Sequence, residues 1–119
     1  MANKIAGTAY VRADGVQYTL AGRFTVSPSN VEREGKAGLS GVAGFAERPR
    51  VPFIEGDIHT MSDLSLADLE AITDATVKAE LANGSVYILR EAWTTAAFEI
   101  DAAEGTVGVR WEGMEGKEL

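Results

Sequence analysis

Two dipeptides, Asp14-Gly15 and Asn83-Gly84, each set between runs that alternate apolar and polar residues, constrain this chain more than any other feature. Asp-Gly and Asn-Gly supply the backbone angles of tight hairpin turns, and period-two alternation puts the apolar side chains on one face of a strand. Before the first turn Ala9 and Val11 alternate with Thr8, Tyr10 and Arg12, and Val16-Gln17-Tyr18-Thr19-Leu20 returns after it. Phe24 and Val26 alternate with Arg23, Thr25 and Ser27 until Pro28, which has no N–H to donate, stops the ladder. Ile54, Gly56 and Ile58 face one way and Phe53, Glu55 and Asp57 the other. Val77, Ala79 and Leu81 lead into the second turn, and Val86 to Trp93 runs back from it. A last pair is expected from Ala97 to Ala102, with Phe98 and Ile100 inward, and from Thr106 to Glu112, with Val107, Val109 and Trp111 inward. The expected architecture is therefore mainly β: an antiparallel sandwich or barrel of about seven or eight strands.

One helix interrupts the strands. Ser65 stands at its N-cap with Asp68 three residues on, and Leu64 and Leu69 occupy the two positions of a hydrophobic staple. Leu66, Leu69 and Ile72 form an apolar stripe, so the spacing predicts a short helix over about residues 65–73 packed on the sheet.

Residues 27–50 show neither period. Gly35, Gly38, Gly41 and Gly44 recur every third residue, too few for a collagen helix, and no lysine followed by Ser or Thr completes a phosphate-binding loop. A long stretch without regular structure is unusual inside a compact domain and is generally functional or disordered. It nonetheless carries Leu39, Val42 and Phe45, which such a segment cannot bury by itself. The expectation is a protruding loop over about residues 29–48 that lies on a neighbouring subunit, attached to one domain spanning residues 1–119.

Catalytic chemistry has little to work with. The chain has no cysteine and one histidine, His59, which removes disulfides, thiolate zinc sites, cysteine nucleophiles and multi-histidine metal centres. Glu55 with Asp57, and Glu99 with Asp101, give paired carboxylates of the kind glycosidases use, but solvated strand faces carry such pairs routinely. Asp63 and Asp68 do not have the spacing of a calcium loop. No enzyme, cofactor or metal is expected. The N-terminal Met1-Ala2-Asn3-Lys4 has no apolar signal core and no stretch is apolar enough to span a membrane, so a soluble, unsecreted protein is expected.

Charge is uneven. Residues 1–50 carry seven Lys and Arg against four acids, and residues 51–119 carry four against fourteen, for the overall −7. Such a chain either mixes the two signs on one surface or presents opposite potentials that suit head-to-tail self-association, and a basic footprint for binding DNA is not expected.

The order of elements carries a resemblance. An N-terminal hairpin, a strand reaching Ser27-Pro28-Ser29, a glycine-bearing loop, a strand from Pro49 to Ile58, a helix at Ser65 to Ile72 and two closing hairpins together resemble the tail tube proteins of Mu-like contractile-tailed phages. The stretch Phe24-Thr25-Val26-Ser27-Pro28-Ser29, then Val31-Glu32-Arg33-Glu34 and Gly44-Phe45-Ala46-Glu47-Arg48-Pro49-Arg50, is similar to that family's tube loop, as is Asn83-Gly84 ahead of Tyr87-Ile88-Leu89 and Ala92-Trp93. Gly113 to Leu119 corresponds least. The resemblance implies a structural virion protein assembled in the bacterial host cytoplasm. Its copies would form hexameric rings stacked into a tube that meets sheath, baseplate and tape measure proteins, and DNA would pass through without specific binding. Tube proteins of type VI secretion and of pyocin-like particles share that architecture; a small β-barrel binding module is the alternative from another class. In a tube, Leu39, Val42 and Phe45 are expected between subunits. Glu55, Asp57, Glu99 and Asp101, opposite the apolar face of their strands, are expected on the channel or, failing that, on the outer wall.

Overall fold

The computed structural model describes residues 9–60, 65–95 and 98–119. Five of its strands come before the helix: β1 (Ala9–Ala13), β2 (Val16–Ser27), β3 (Val31–Gly38), β4 (Gly41–Pro49) and β5 (Phe53–His59). After α1 (Leu66–Glu70) come β6 (Ala75–Leu81), β7 (Val86–Thr95), β8 (Ile100–Asp101), β9 (Thr106–Glu112) and β10 (Glu115–Glu118).

Eight of these strands form one antiparallel sheet in the order β10-β7-β6-β1-β2-β5-β9-β8. A further pairing of β7 with β9 closes the middle of that sheet into a six-stranded barrel, with β10 and β8 as additional strands. Two long strands turn the corners. β2 pairs with β1 through Val16–Thr19 and with β5 through Leu20–Ser27, its register shifting between Leu20 and Phe24. β7 pairs with β10 through Tyr87–Arg90, with β6 from Val86 to Ala92 with a register shift on the way, and with β9 through Trp93–Thr95, and Glu91 at the shift has φ of 51°. Register breaks of this kind bend a strand and let one sheet become a closed wall.

The alternation read from the sequence points into this barrel. Val11, Ile54, Ile58, Val77, Ala79, Leu89, Val107, Val109 and Trp111 are buried, and Tyr18, Leu20, Phe24 and Val26 of β2 pack against them. The first turn has positive φ at both Asp14 (49°) and Gly15 (86°), as a two-residue hairpin requires. At Asn83-Gly84 the connection is longer, with Leu81 N–H donating to Ser85 O. Ser65 caps α1 by accepting the Asp68 N–H at 3.3 Å, and Leu69 drops into the core. The helix ends at Glu70, shorter than expected; Leu64 of the staple lies outside the described residues. Thr94 fastens it to β7 through its hydroxyl to Leu69 O at 2.7 Å.

Three expectations change. Residues 29–48 are not an irregular loop: β3 and β4 form a hairpin with registered pairs from Val31 with Pro49 to Gly38 with Gly41. Every residue of both strands is exposed, so neither face imposes an apolar alternation and the strand period is absent from the sequence. Ile100 is not inward; β8 is two residues at the sheet margin and leaves it half exposed, while Phe98 packs on the core. The described residues hold ten strands, because the two strands of the arm, β8 and β10 add to the six of the barrel.

Candidate assembly surfaces

The β3–β4 hairpin stands away from the barrel as an arm. The molecule measures 61 × 41 × 27 Å with a radius of gyration of 17.2 Å, against about 13.5 Å for a compact chain of this length. Charge is confined to the lower part of the arm and is neutralised within it. Arg33 Nε meets Glu47 Oε1 at 2.7 Å, Arg48 Nη2 meets Glu32 Oε1 at 3.2 Å, and Lys36 Nζ lies 3.5 Å from Glu34 Oε1. Beyond them the tip, residues 37–46, holds no charged residue. Leu39, Val42 and Phe45 are 112%, 86% and 62% exposed there, and only the Arg33 guanidinium leans over the Phe45 ring, at 5.5 Å. The arm thus offers an uncharged, apolar end on a charge-balanced stem.

The second surface is the outer face of β5 and β9. Their register places Glu55 beside Arg110, Asp57 beside Gly108 and Phe53 beside Glu112, all pointing away from the core that Ile54 and Trp111 enter. Arg110 holds this face together: Nη1 meets Glu55 Oε2 and Nε meets Glu112 Oε2, each at 3.0 Å, and the guanidinium lies 3.9 Å from the centre of the Phe53 ring. Partial burial works against the charge on Arg110, but the hydrogen bonds and charges of Glu55 and Glu112 outweigh it and raise its pKa above the ordinary value. Arg23 adds a second cation to Glu55 at 3.1 Å. Beside this cluster lies a shallow depression between Arg23, Thr95, Gly108 and Arg110.

The four carboxylates expected together on one wall divide accordingly. Glu55 is a bridged, half-buried carboxylate between two arginines. Asp57 shares its face and makes no ion pair among the described residues. Asp101 sits opposite Thr106 at the end of β8, where Oδ1 accepts the Ala103 and Glu104 N–H groups and shapes the turn. Glu99 is exposed just before β8. His59 is exposed at the end of β5.

A model of the family described as "Phage tail tube protein" matches residues 2–118. The chain belongs to that family. It is a structural protein of a phage-type tail, hence a virion component, and its family is not one of enzymes. It is 31% identical to the Mu-like prophage FluMu tail tube protein of Haemophilus influenzae over 119 residues, covering 100% of this chain and 99% of that one. Two solved structures share the fold. Hcp1 from Flavobacterium johnsoniae superposes with a TM-score of 0.63 at 9% identity, covering 94% of both chains. The sheath/tube terminator of an extracellular contractile injection system gives 0.64 at 10% identity, covering 94% of this chain and 93% of that one. At such identities these two speak for the fold alone, and the tail tube assignment rests on the family match.

Two features of this tail tube protein went unread in the sequence. Glu32 with Arg48 and Arg33 with Glu47 pair with a constant sum of residue numbers, the mark of an antiparallel register, and that signal was present in the charges. Arg110 as the partner of Glu55 lies 55 residues away and needed the β5–β9 pairing to be known first.

Proposed function

We propose that copies of this chain close into hexameric rings that stack into the inner tube of a contractile phage tail, through which DNA leaves the capsid. The observation that carries the proposal is the arm: an ordered hairpin with an uncharged tip whose Leu39, Val42 and Phe45 have no cover from the barrel. Contiguous exposed apolar groups of this sort are interaction surfaces, and a neighbouring copy in the next ring is the partner that the tube supplies. The outer face of β5 and β9 is then the channel wall. Asp57 gives it negative charge that makes no ion pair among the described residues, Glu99 adds an exposed carboxylate just before β8, the strand paired to β9, and Glu55 is compensated by Arg23 and Arg110. Six copies at −7 would carry −42 per ring, and a wall of like charge lets the duplex slide without counterion-releasing contacts. Sheath, baseplate and tape measure proteins are the further partners of such a tube, assembled in the host cytoplasm.

Deletion of residues 35–44 tests the proposal. The variant is expected to remain a folded monomer, because none of the deleted atoms belongs to the barrel core, and to form no tubes by electron microscopy. Long tubes from the deletion variant would refute the role of the arm. A second reading, a tube that moves protein in an injection particle, is favoured by the fold shared with Hcp1 and the injection-system terminator. Particles purified with DNA in the lumen would decide against it.

A further inference from the structure

The root of the arm is held by the far end of the chain. Asn30, just before β3, donates Nδ2–H to Gly116 O at 2.8 Å and accepts the Gly116 N–H on Oδ1 at 2.7 Å. A side-chain amide that takes both the donor and the acceptor of one residue acts as a single residue of a neighbouring strand, so Asn30 occupies the side of β10 that does not face β7. Its own carbonyl accepts the Arg50 N–H at 2.9 Å, which closes the other end of the arm's root. On that second end Pro52 O accepts the Gly113 N–H at 3.2 Å. Gly116 is built for this position: a Cβ there would lie 2.5 Å from Pro28 O and 2.7 Å from Pro52 Cβ, one on each side of the arm's entry and exit. The C-terminal segment, residues 113–116, therefore grips both strands where the arm leaves the barrel.

We infer that Asn30 is a positioning residue for assembly: its amide pairing with Gly116 fastens the β3–β4 arm to β10 and fixes the direction in which the tip is presented to a second copy. The inference rests on the proposal above that the arm is the contact between copies. An arm aimed before association spares the ordering entropy that a freely swinging one loses on docking, so the latch acts on tube formation through preorganisation and not through contact with the partner. The same pairing occupies the outward backbone groups of Gly116 on the edge strand β10, leaving that point of the edge closed to another strand.

The test uses the absence of cysteine from the chain, which allows spin labels at Ser40→Cys in the arm turn and Glu104→Cys on the barrel without background. In the monomer the distance between them is expected to be one narrow distribution, and Asn30→Ala is expected to broaden it. Without the labels, Asn30→Ala is expected to raise the protein concentration needed for tube growth roughly tenfold, the loss of two modest hydrogen bonds at a preorganised site. Asn30→Asp keeps the acceptor and loses the donor, and should fall between. Gly116→Ala, whose Cβ would collide with Pro28 O and Pro52 Cβ while the Asn30 side chain is kept, should broaden the distribution as well. A distance distribution in Asn30→Ala as narrow as in the parent overturns the latch while leaving the arm's role to the deletion experiment. A broadened distribution with unchanged tube growth overturns the positioning role, and if the 35–44 deletion also assembles, the reading of the arm falls with it.

Discussion

The barrel and the arm are built from the same antiparallel ladder and are held by different forces. In the barrel, β1, β5, β6 and β9 each have a neighbour on both sides, and Trp111, Ile54, Ile58, Val77 and Leu89 fill the interior. In the arm, β3 and β4 pair with each other alone and bury nothing. A lone two-stranded hairpin is marginal in water, so the cross-strand ion pairs, the Arg33–Phe45 contact and the grip at its root are what hold the arm within one subunit. The contrast separates residues that fold the subunit from residues that we propose join subunits.

Cutting the interior should produce the largest effect. Trp111→Ala removes the biggest fully buried side chain and is expected to cost about 3–5 kcal/mol in denaturant unfolding of the monomer. Phe45→Ala is expected to stay within about 0.5 kcal/mol in the same measurement and to reduce tube yield sharply in electron microscopy. If Phe45→Ala destabilised the monomer as much as Trp111→Ala, the division between the two regions would collapse.

Ion pairs sharpen the contrast at intermediate size. Arg110→Ala leaves Glu55 to Arg23 alone, frees Glu112 and bares Phe53, so a loss of about 1–2 kcal/mol is expected, with modest dependence on salt. Arg33→Ala breaks a pair between two well-exposed side chains and is expected to cost less than about 1 kcal/mol, shrinking further as salt is raised. Melting curves of both variants at low and high salt give the comparison.

The smallest effect is a titration in the barrel. Burial, and secondly the charge of Asp68, raise the Tyr18 phenol above its ordinary 10.0. The folded state thus resists forming the phenolate more than the unfolded chain does. That stability is whole below pH 10 and is lost as the pH rises through the folded value. Tyr18→Phe should remove this alkaline decline, a difference below about 1 kcal/mol in stability measured against pH.

Much of the barrel was legible in the sequence because burial on one face leaves a period of two. Val11, Ile54, Ile58, Val107, Val109 and Trp111 are inward as their alternation requires, and Ser65 caps the helix that its spacing announces. The arm's conformation was not legible from periodicity, since a hairpin solvated on both faces has no inward side to mark. Its uncovered apolar surface was legible all the same, in Leu39, Val42 and Phe45 on a segment with nothing of its own to bury them. The candidate wall was read only in part: alternation placed Glu55 and Asp57 on the outer face, and Arg23 and Arg110 then changed what Glu55 can do there.

What the sequence determined by itself is the set of local choices: strand or helix, inward or outward, turn or run, each set by side chains within a few residues of one another. Closure of β7 on β9, the bracing of Glu55 by two arginines and the grip of Asn30 on Gly116 across 86 residues were decided by the tertiary structure. Those contacts join groups far apart in the chain, and their partners become neighbours only once the barrel has closed and brought the C-terminal strand to the root of the arm.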